Sequence, residues 1–308
     1  MDRHPGGRTP PEPQLNSRRR PRATSAQPNN HSQRKRIAVT VHDLVPADVL
    51  TTSPTAEAVV EIAVIVGLNT PGQTSASTAL QKQLTITAVD SIHELGGRAV
   101  IHDVSDAGEP DYEAIAAADG ILVLGGGDVD ATIYGHTEIV PNEYGKDRRA
   151  DEREIEIIAR GIGEDSIMLH LCRGSQLLNV VCGGTLIPDL DPYHLHKGAP
   201  GEPLFLDEEV RLEPGHIIHE LYQVEKFTVR NGHHQAVGRV GTGLSVAARA
   251  ADGIVEATER VDNTWILGVQ WHPEEAGASK ADRDILFSAF LEQARARTRS
   301  RETAIAQD

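Results

Sequence analysis

The stretch HLCRGSQLLN, at residues 170–179, contains Cys172, one of the two cysteines of the chain. An apolar run precedes it and a helical pattern follows it, so Cys172 lies where a strand changes into a helix. Gly174 supplies the small residue that a tight turn of this kind needs. The start of a helix places free N–H groups beside the sulfur, which favours the thiolate. A cysteine in an apolar run is as often an inert core residue, so this stretch alone leaves both interpretations open.

A cysteine nucleophile also needs a base, and a group that orients the base. The stretch WILGVQWHPE, at residues 265–274, ends an apolar strand in His272, and Glu274 follows two residues later. Side chains at i and i+2 of an extended segment point the same way, so the imidazole and the carboxylate can lie side by side. A lone histidine is more often structural, but the end of a buried strand favours a catalytic pair.

Three glycines follow another apolar strand, in ILVLGGGDVD at residues 121–130. Bare backbone N–H groups at this point could stabilise an oxyanion. The alternative is an ordinary tight turn, because strands often end in glycine. The stretch lacks both a Walker Lys-Ser/Thr pair and the GxGxxG spacing, so phosphate binding is the weaker functional interpretation.

The elements that must position these residues alternate between strand and helix patterns. Strands are predicted at 61–68, 98–104, 120–127 and 166–171, and helices at 76–96, 111–119, 151–163 and 174–184. This alternation predicts an α/β fold with a mostly parallel central sheet covered by helices on both faces. Ligands in such folds bind beyond the carboxyl ends of the strands.

The second half of the chain, from about residue 203, changes to short extended runs separated by Gly or Asp, which predict a more antiparallel continuation of the sheet. A final helix is predicted at 278–297. One domain, 58–298, accounts for these patterns. Residues 1–57 are predicted to be a basic, Pro/Ser-rich, disordered extension that includes the short apolar piece RIAVTVHDLV, and residues 299–308 a C-terminal tail.

Composition limits the class of protein. With 39% apolar residues in 308, the chain can bury a sizeable core. Two cysteines and the lack of an apolar signal sequence predict a cytoplasmic protein without a membrane span. The net charge is −15, yet residues 1–36 carry nine Lys or Arg against two Asp or Glu. The acidic body argues against nucleic-acid binding; the basic start could be an arm for an anionic partner, but its composition favours a solvated tail.

Four stretches together resemble the class I glutamine amidotransferase superfamily and, more narrowly, the γ-glutamyl-γ-aminobutyrate hydrolase family. They are LGGGDVDATIYG (124–135), CRGSQLLNVVCGGTLIPDL (172–190), HHQAVGRVGTGLSVAARAADGIVEA (233–257) and ILGVQWHPE (266–274). They occur in the family's order and cover most of residues 61–274. The resemblance implies a flavodoxin-like α/β fold.

The resemblance also implies a mechanism. A cysteine thiolate cleaves a γ-glutamyl amide, a γ-glutamyl thioester forms, and water releases glutamate, with no metal or organic cofactor. Activity of this kind belongs to polyamine catabolism. The implied catalytic residues are Cys172, His272 and Glu274; the implied oxyanion donors are the N–H groups of Gly126, or its neighbour Gly125, and Arg173; and the implied substrate contacts are Gln176, His233 and, less directly, Gln235. A helix-surface amide and a solvated loop are the alternatives for Gln176 and His233.

The chain departs from the family pattern at three places near the implied substrate site. His170 replaces a glycine two residues before the nucleophile and must either lie beneath the turn or point toward the site. Leu124 replaces a proline, and residues 230–232 read Arg-Asn-Gly where many relatives have Asn-Ser. These differences leave the amine of the substrate open.

The stretch YHLHK, at residues 193–197, offers two histidines, but without a carboxylate or cysteine at ligand spacing it is interpreted as a loop, and no metal is predicted. Cys182 is predicted to be a packed thiol. The predicted partner is a small γ-glutamyl molecule, and a homo-oligomer is possible. The alternatives are a glutaminase subunit that donates ammonia to a separate synthetase, and a non-catalytic binding relative.

Overall fold

A computed structural model of the chain describes residues 43–58 and 60–305. The strands are β1 (Val60–Val66), β2 (Gly97–Asp103), β3 (Gly120–Val123), β4 (Ile167–Leu171), β5 (Leu186–Ile187), β6 (Leu206–Leu212), β7 (Lys226–Asn231), β8 (Ala236–Val237), β9 (Leu244–Ala250), β10 (Val255–Arg260) and β11 (Ile266–Val269). The helices are α1 (Ser75–Glu94), α2 (Tyr112–Ala117), α3 (Arg148–Gly163), α4 (Arg173–Val181), α5 (Ile217–Tyr222) and α6 (Lys280–Ile305).

The strands form one mixed sheet in the order β2-β1-β3-β4-β11-β10-β9-β6-β7, and β8 joins β5 to β10 beside this path. The first five strands of this order, from β2 to β11, run parallel to one another. From β10 onward the neighbours are antiparallel. The predicted α/β class, and the predicted change to antiparallel strands in the second half, are therefore confirmed.

The core lies on both faces of the sheet, as the continuous apolar strands require. In β1, Ile62 and Val64 belong to one buried cluster, whereas Ala63 and Ile65 belong to the other. Helices α1 and α6 cover the first face, and α2, α3 and α4 cover the second. With both faces covered, the open positions for a ligand are at the carboxyl ends of the strands.

Residues 43–57, which the sequence analysis assigns to the extension, pack on the domain. Val49 is fully buried and Leu44 nearly so, and both belong to the core cluster under α1 and α6. The Leu44 N–H donates to Asn69 Oδ1 (2.8 Å), and Asn69 Nδ2 donates back to the Leu44 carbonyl (2.9 Å). The domain boundary at residue 58 is thus too late for this segment. Most of RIAVTVHDLV and the predicted disorder of the basic start lie outside the described residues.

Two further differences concern helices. Helix α6 continues to Ile305, so the predicted tail from residue 299 begins inside a helix. The sequence also predicts only short extended runs between about residue 203 and the final helix, where the structure has the additional helix α5. A helix of six residues has fewer than two turns, too few to show an apolar period. Across the described ranges, no helix has the length and apolar character to cross a membrane.

Candidate active site

Cys172 occupies the turn between β4 and α4. Its φ of 49° and ψ of −108° are strained for a residue with a side chain. The turn is fixed because the Cys172 N–H donates to the Val269 carbonyl (2.8 Å) and the Cys172 carbonyl accepts from the Gln176 N–H (3.2 Å). A Cβ at Gly174 would lie 2.6 Å from the Val123 carbonyl oxygen, so only glycine fits there. The local sequence therefore holds the thiol on a sharp bend at the end of a parallel strand.

His272 and Glu274 form a buried pair just beyond β11. Their Nδ1 and Oε1 atoms are 2.7 Å apart. The sequence analysis assumes an extended segment, but β11 ends at Val269 and a turn brings the two together, with the Glu275 N–H donating to the His272 carbonyl (3.2 Å). Burial lowers the pKa of His272, but attraction to Cys172 and Glu274, with hydrogen bonds to both, raises it well above its usual value. This favours a protonated imidazole at His272, facing the Cys172 sulfur.

The glycines after β3 surround the cysteine and histidine. A Cβ at Gly125 would lie 2.9 Å from His272 Cε1 and 3.5 Å from Cys172 Cβ, so a side chain there would crowd both. Gly126 borders the same space. Within the described residues, the N–H groups of Gly126 and Arg173 donate to no protein acceptor. Both predicted oxyanion donors therefore have a free N–H group.

The Arg173 side chain anchors the start of α4 to α3. Its Nη2 donates to Asp151 Oδ1 (2.6 Å), and its Nη1 pairs closely with Glu154. Asp151 also accepts the N–H of Asp130 (2.9 Å), in the loop after β3. Burial raises the pKa of both carboxyl groups, and the attraction of Arg173 opposes this. The ion-pair network thus connects the two loops that carry the predicted oxyanion donors.

Gln176 is buried rather than exposed on the helix surface, so the first alternative for this residue is wrong. Its Nε2 donates to the Gln235 carbonyl (2.9 Å) and to Gln270 Oε1 (3.2 Å). Gln270 in turn places its Nε2 3.5 Å from Cys172 Sγ. The sequence analysis missed Gln270, although it lies two residues before His272 in the GVQWHPE stretch.

His233 and Gln235 are also buried, so the solvated-loop alternative is wrong too. His233 Nδ1 lies 2.9 Å from the Gln235 carbonyl oxygen. The Gln235 side chain accepts the Val129 N–H (3.0 Å) and so binds the loop after β3. Between them, His234 Nε2 pairs with Asp128 (2.9 Å). The His-His-Gln stretch therefore forms a wall of the site. The Gln235 side chain also connects this wall to the backbone of the loop after β3.

His170 lies beneath the turn and does not border the cavity at Cys172. It follows Met168 on the face of β4 that α4 covers, and it is fully buried. Burial lowers the pKa of its imidazole to about 3, and the nearby backbone of Gly174 offsets this only in part. His170 is therefore a neutral packing residue under the cysteine turn.

A cavity of about 330 Å³ opens above the cysteine turn. Its walls come from the loop after β1, the start of α1, the glycine loop, the cysteine turn and the segment before β6. Residues that the sequence analysis missed in this wall are Tyr144, Lys197, Leu204, Phe205 and His234. Phe205 packs edge-on against His272, with 5.1 Å between ring centres, and Lys197 Nζ lies 4.6 Å from the Tyr144 ring centre. Tyr144, Leu204 and Phe205 come from loops without a recognisable motif, so only the fold brings them to the site.

Two further sequence features lie outside the lining of this cavity. Cys182 directly follows the last residue of α4 and is partly exposed. Its Sγ lies 3.5 Å from Arg260 Nη1. His196, from the YHLHK stretch, lies within a group of side chains that could hold a metal. That group is His196, Glu208, His233 and Glu256, and its ligand atoms lie within 4.8 Å of one another.

Comparison with known proteins agrees with this fold. The chain is 29% identical to the protein NtpR of Enterococcus hirae over 210 residues, which is 67% of this chain and 87% of that protein. It is 31% identical to the γ-glutamyl-γ-aminobutyrate hydrolase PuuD of Escherichia coli over 182 residues, or 56% of this chain and 70% of that protein. The glutaminase domain of Trypanosoma brucei CTPS, solved with bound acivicin, shares the fold with a TM-score of 0.53 at 16% identity, over 76% of this chain and 93% of that one. Residues 62–274 match the model of Peptidase C26, and the chain therefore belongs to this family of the class I glutamine amidotransferase-like proteins.

Proposed function

We propose that this protein hydrolyses γ-glutamyl amides, with γ-glutamyl-γ-aminobutyrate or a related γ-glutamyl amine as substrate. The observation that carries the proposal is the strained, buried Cys172 beside the His272 and Glu274 pair, at the floor of a cavity. A thiol held on a bend, with an imidazole oriented by a carboxylate, has the parts that acyl transfer needs.

In the first half of the reaction, the Cys172 thiolate attacks the γ-carbonyl carbon and a new C–S bond forms. The oxygen of the tetrahedral intermediate accepts hydrogen bonds from the N–H groups of Gly126 and Arg173. The C–N bond then breaks, and the amine leaves with the proton of the His272 imidazolium. Glu274 keeps the imidazole oriented and stabilises its charged form.

In the second half, His272 accepts a proton from a water molecule, and the resulting hydroxide attacks the thioester carbonyl. The same two N–H groups stabilise the oxyanion. The C–S bond breaks, glutamate leaves, and the thiolate re-forms beside the protonated His272. Atoms balance as one amide and one water giving glutamate and an amine.

The position of Lys197 at the cavity favours an anionic substrate. It forms no ion pair with any residue in the described ranges, and its cationic group borders the cavity. A γ-glutamyl substrate carries an α-carboxylate, and its γ-aminobutyrate derivative carries a second one. We therefore assign Lys197 to a carboxylate of the substrate. The relative PuuD, named for γ-glutamyl-γ-aminobutyrate hydrolysis, supports the same class. A cytoplasmic location, a role in polyamine catabolism and homo-oligomer formation stay part of this proposal.

The test compares the full chain with Cys172→Ala and with Cys182→Ala, the matched control at the other cysteine. Each protein is incubated with γ-glutamyl-γ-aminobutyrate, γ-glutamyl polyamines and glutamine, and glutamate release is measured. We expect release from the γ-glutamyl amines by the wild type and by Cys182→Ala, and none by Cys172→Ala. Release from glutamine alone would instead support an ammonia donor, and release from no substrate would support a binding relative.

A further inference from the structure

The histidine–glutamate cluster consists of His196, Glu208, His233 and Glu256. His196, His233 and Glu256 are at least 97% buried, and the Glu208 side chain is 12% exposed. Each comes from a different part of the chain: the loop after β5, strand β6, the segment after β7 and strand β10. Two imidazoles and two carboxylates thus converge in the interior, behind one wall of the cavity.

The hydrogen bond at His233 Nδ1 identifies an atom of the same ring that lacks a partner. Its Nδ1 lies 2.9 Å from the Gln235 carbonyl oxygen, which can only accept, so Nδ1 carries the proton. The other ring nitrogen, Nε2, faces Glu256 Oε1 at 3.4 Å. Among the described residues, neither of these two atoms has a hydrogen-bond partner. Either a shared proton or a metal cation between these two buried atoms would satisfy both.

The residues around the cluster contact its side chains in the way that neighbouring residues contact the ligands of a metal site. His196 Nε2 donates to Asp252 Oδ2 (2.9 Å), and its Nδ1 lies at hydrogen-bond distance from Glu208 Oε2 (3.0 Å) and 3.8 Å from Glu256 Oε1. Asn231 Nδ2 donates to Glu208 Oε2 (2.6 Å) and to Glu256 Oε2 (3.0 Å), and so orients both carboxylates. Metal-binding histidines commonly donate their second N–H to a carboxylate or a backbone carbonyl. Both histidines of the cluster do so.

The spacing of the ligand atoms fits a small ion. Three of the separations between ligand atoms, 3.0, 3.4 and 3.8 Å, scatter around the edge of about 3.4 Å that a tetrahedron with metal bonds of about 2.1 Å has, and all four atoms lie within 4.8 Å of one another. Two imidazoles with two carboxylates suit a borderline cation, and four protein ligands are typical of a structural zinc site. We propose that the histidine–glutamate cluster binds one divalent transition-metal ion, for which Zn²⁺ is the best match.

This site would have a positioning role and is independent of the proposed reaction. An ion there would join the loop that carries His196 to β6, β10 and the His-His-Gln stretch. His233 would direct its Nε2 to the metal rather than to the substrate, while its ring still borders the cavity. The metal would fix the wall of the cavity without contacting the reacting atoms.

The test measures zinc in the full chain, purified without a chelator and with any affinity tag removed. The protein is dialysed against zinc sulfate and desalted, and zinc is measured by plasma mass spectrometry. We expect about one zinc per chain, and visible absorption of tetrahedral Co²⁺ when cobalt replaces zinc. Wild-type protein that retains no zinc would overturn the proposal and leave a protonated ion-pair network in its place.

Matched variants identify the ligands. His196→Ala and Glu208→Gln should lose the zinc, whereas His194→Ala and Glu209→Gln, at exposed neighbouring positions, should keep it. Asp252→Asn should weaken zinc affinity about 10- to 100-fold. Circular dichroism checks that each variant is folded; if His196→Ala does not fold, Glu208→Gln decides, because its side chain is closer to the surface. Zinc content equal to that of the wild type in a folded ligand variant would contradict the assignment.

Discussion

Gln270 Nε2 lies 3.5 Å from Cys172 Sγ, two residues before the histidine that faces the same sulfur. An amide N–H directed at a thiolate stabilises its negative charge. Replacing Gln270 with Met keeps the length of the side chain and removes the donor. We expect kcat/KM to fall about 10-fold, equivalent to about 1.4 kcal/mol. Alkylation of Cys172 by iodoacetamide at neutral pH should slow in parallel.

The control for this change is Gln83→Met, on the exposed face of α1. It should alter neither turnover nor alkylation. An alkylation rate in Gln270→Met equal to that of the wild type would show that the amide does not act on the thiolate.

Glu274→Gln should leave the structure intact and reduce kcat about 100-fold, because the imidazole loses the carboxylate that orients it. The pH profile gives a second readout. Glu274 raises the pKa of His272, and an imidazolium is needed to protonate the departing amine. Its removal lowers that pKa, so the alkaline limb of the kcat/KM profile should move to lower pH. An unmoved alkaline limb would contradict the assignment of His272 as the acid.

The close approach of α4 to β3 predicts the effect of a single methyl group. In Gly174→Ala, the new Cβ would meet the Val123 carbonyl at 2.6 Å. Overpacking of this kind costs about 1–3 kcal/mol of the free energy of unfolding. In Gly163→Ala, near the end of α3, no atom lies within 4 Å, so this control should be neutral or stabilising by up to about 1 kcal/mol. Urea unfolding midpoints separate the two variants, and equal midpoints would be inconsistent with this packing.

His170 predicts how stability depends on pH. In the folded protein the pKa of His170 is about 3, below the usual value near 6.5. Between these two values the unfolded chain binds a proton that the folded protein does not. The free energy of unfolding is therefore highest above pH 6.5 and decreases as the pH falls toward 3. The loss is about 1.4 kcal/mol per pH unit, or about 2 kcal/mol at pH 5. In His170→Gln this loss should disappear. Urea unfolding at pH 7 and pH 5 measures it, with His194→Gln, in an exposed loop, as the control for losing an imidazole elsewhere.

Lys197→Met tests the carboxylate contact. The cation borders the cavity and takes no part in the proposed proton transfers, so KM for a γ-glutamyl amine should rise about 10-fold while kcat changes little. The control is Lys226→Met, whose exposed ammonium pairs with Glu209. A kcat loss without a KM change would place Lys197 in the chemistry rather than in substrate binding.

The residues that the sequence predicts best are those at the ends of neighbouring parallel strands. Cys172 follows β4, His272 follows β11, and these strands pair directly, so a local pattern is enough to bring both side chains to one edge of the sheet. The glycines after β3 arrive there for the same reason. Because parallel strands end at the same edge of the sheet, short motifs that follow neighbouring strands form one site.

Other contacts depend on long loops and on the register of distant strands. Glu208 and Glu256 lie on β6 and β10, which are separated by β9, and the loop that carries His196 must return to meet them. Neither the antiparallel register nor the course of that loop can be predicted from a local sequence pattern. The spacing of YHLHK alone therefore predicts no metal, because its carboxylate neighbours come from other strands.

The segment that carries Leu44 and Val49 has a consequence for how the fold is divided. The family match begins at residue 62, yet both side chains contribute to the core, and Leu44 holds Asn69 by two hydrogen bonds. The next residue, Thr70, borders the cavity. The family segment is therefore not the whole folding unit. A protein trimmed to residues 62–274 would keep every residue that lines the cavity but would lose the support of the cavity rim.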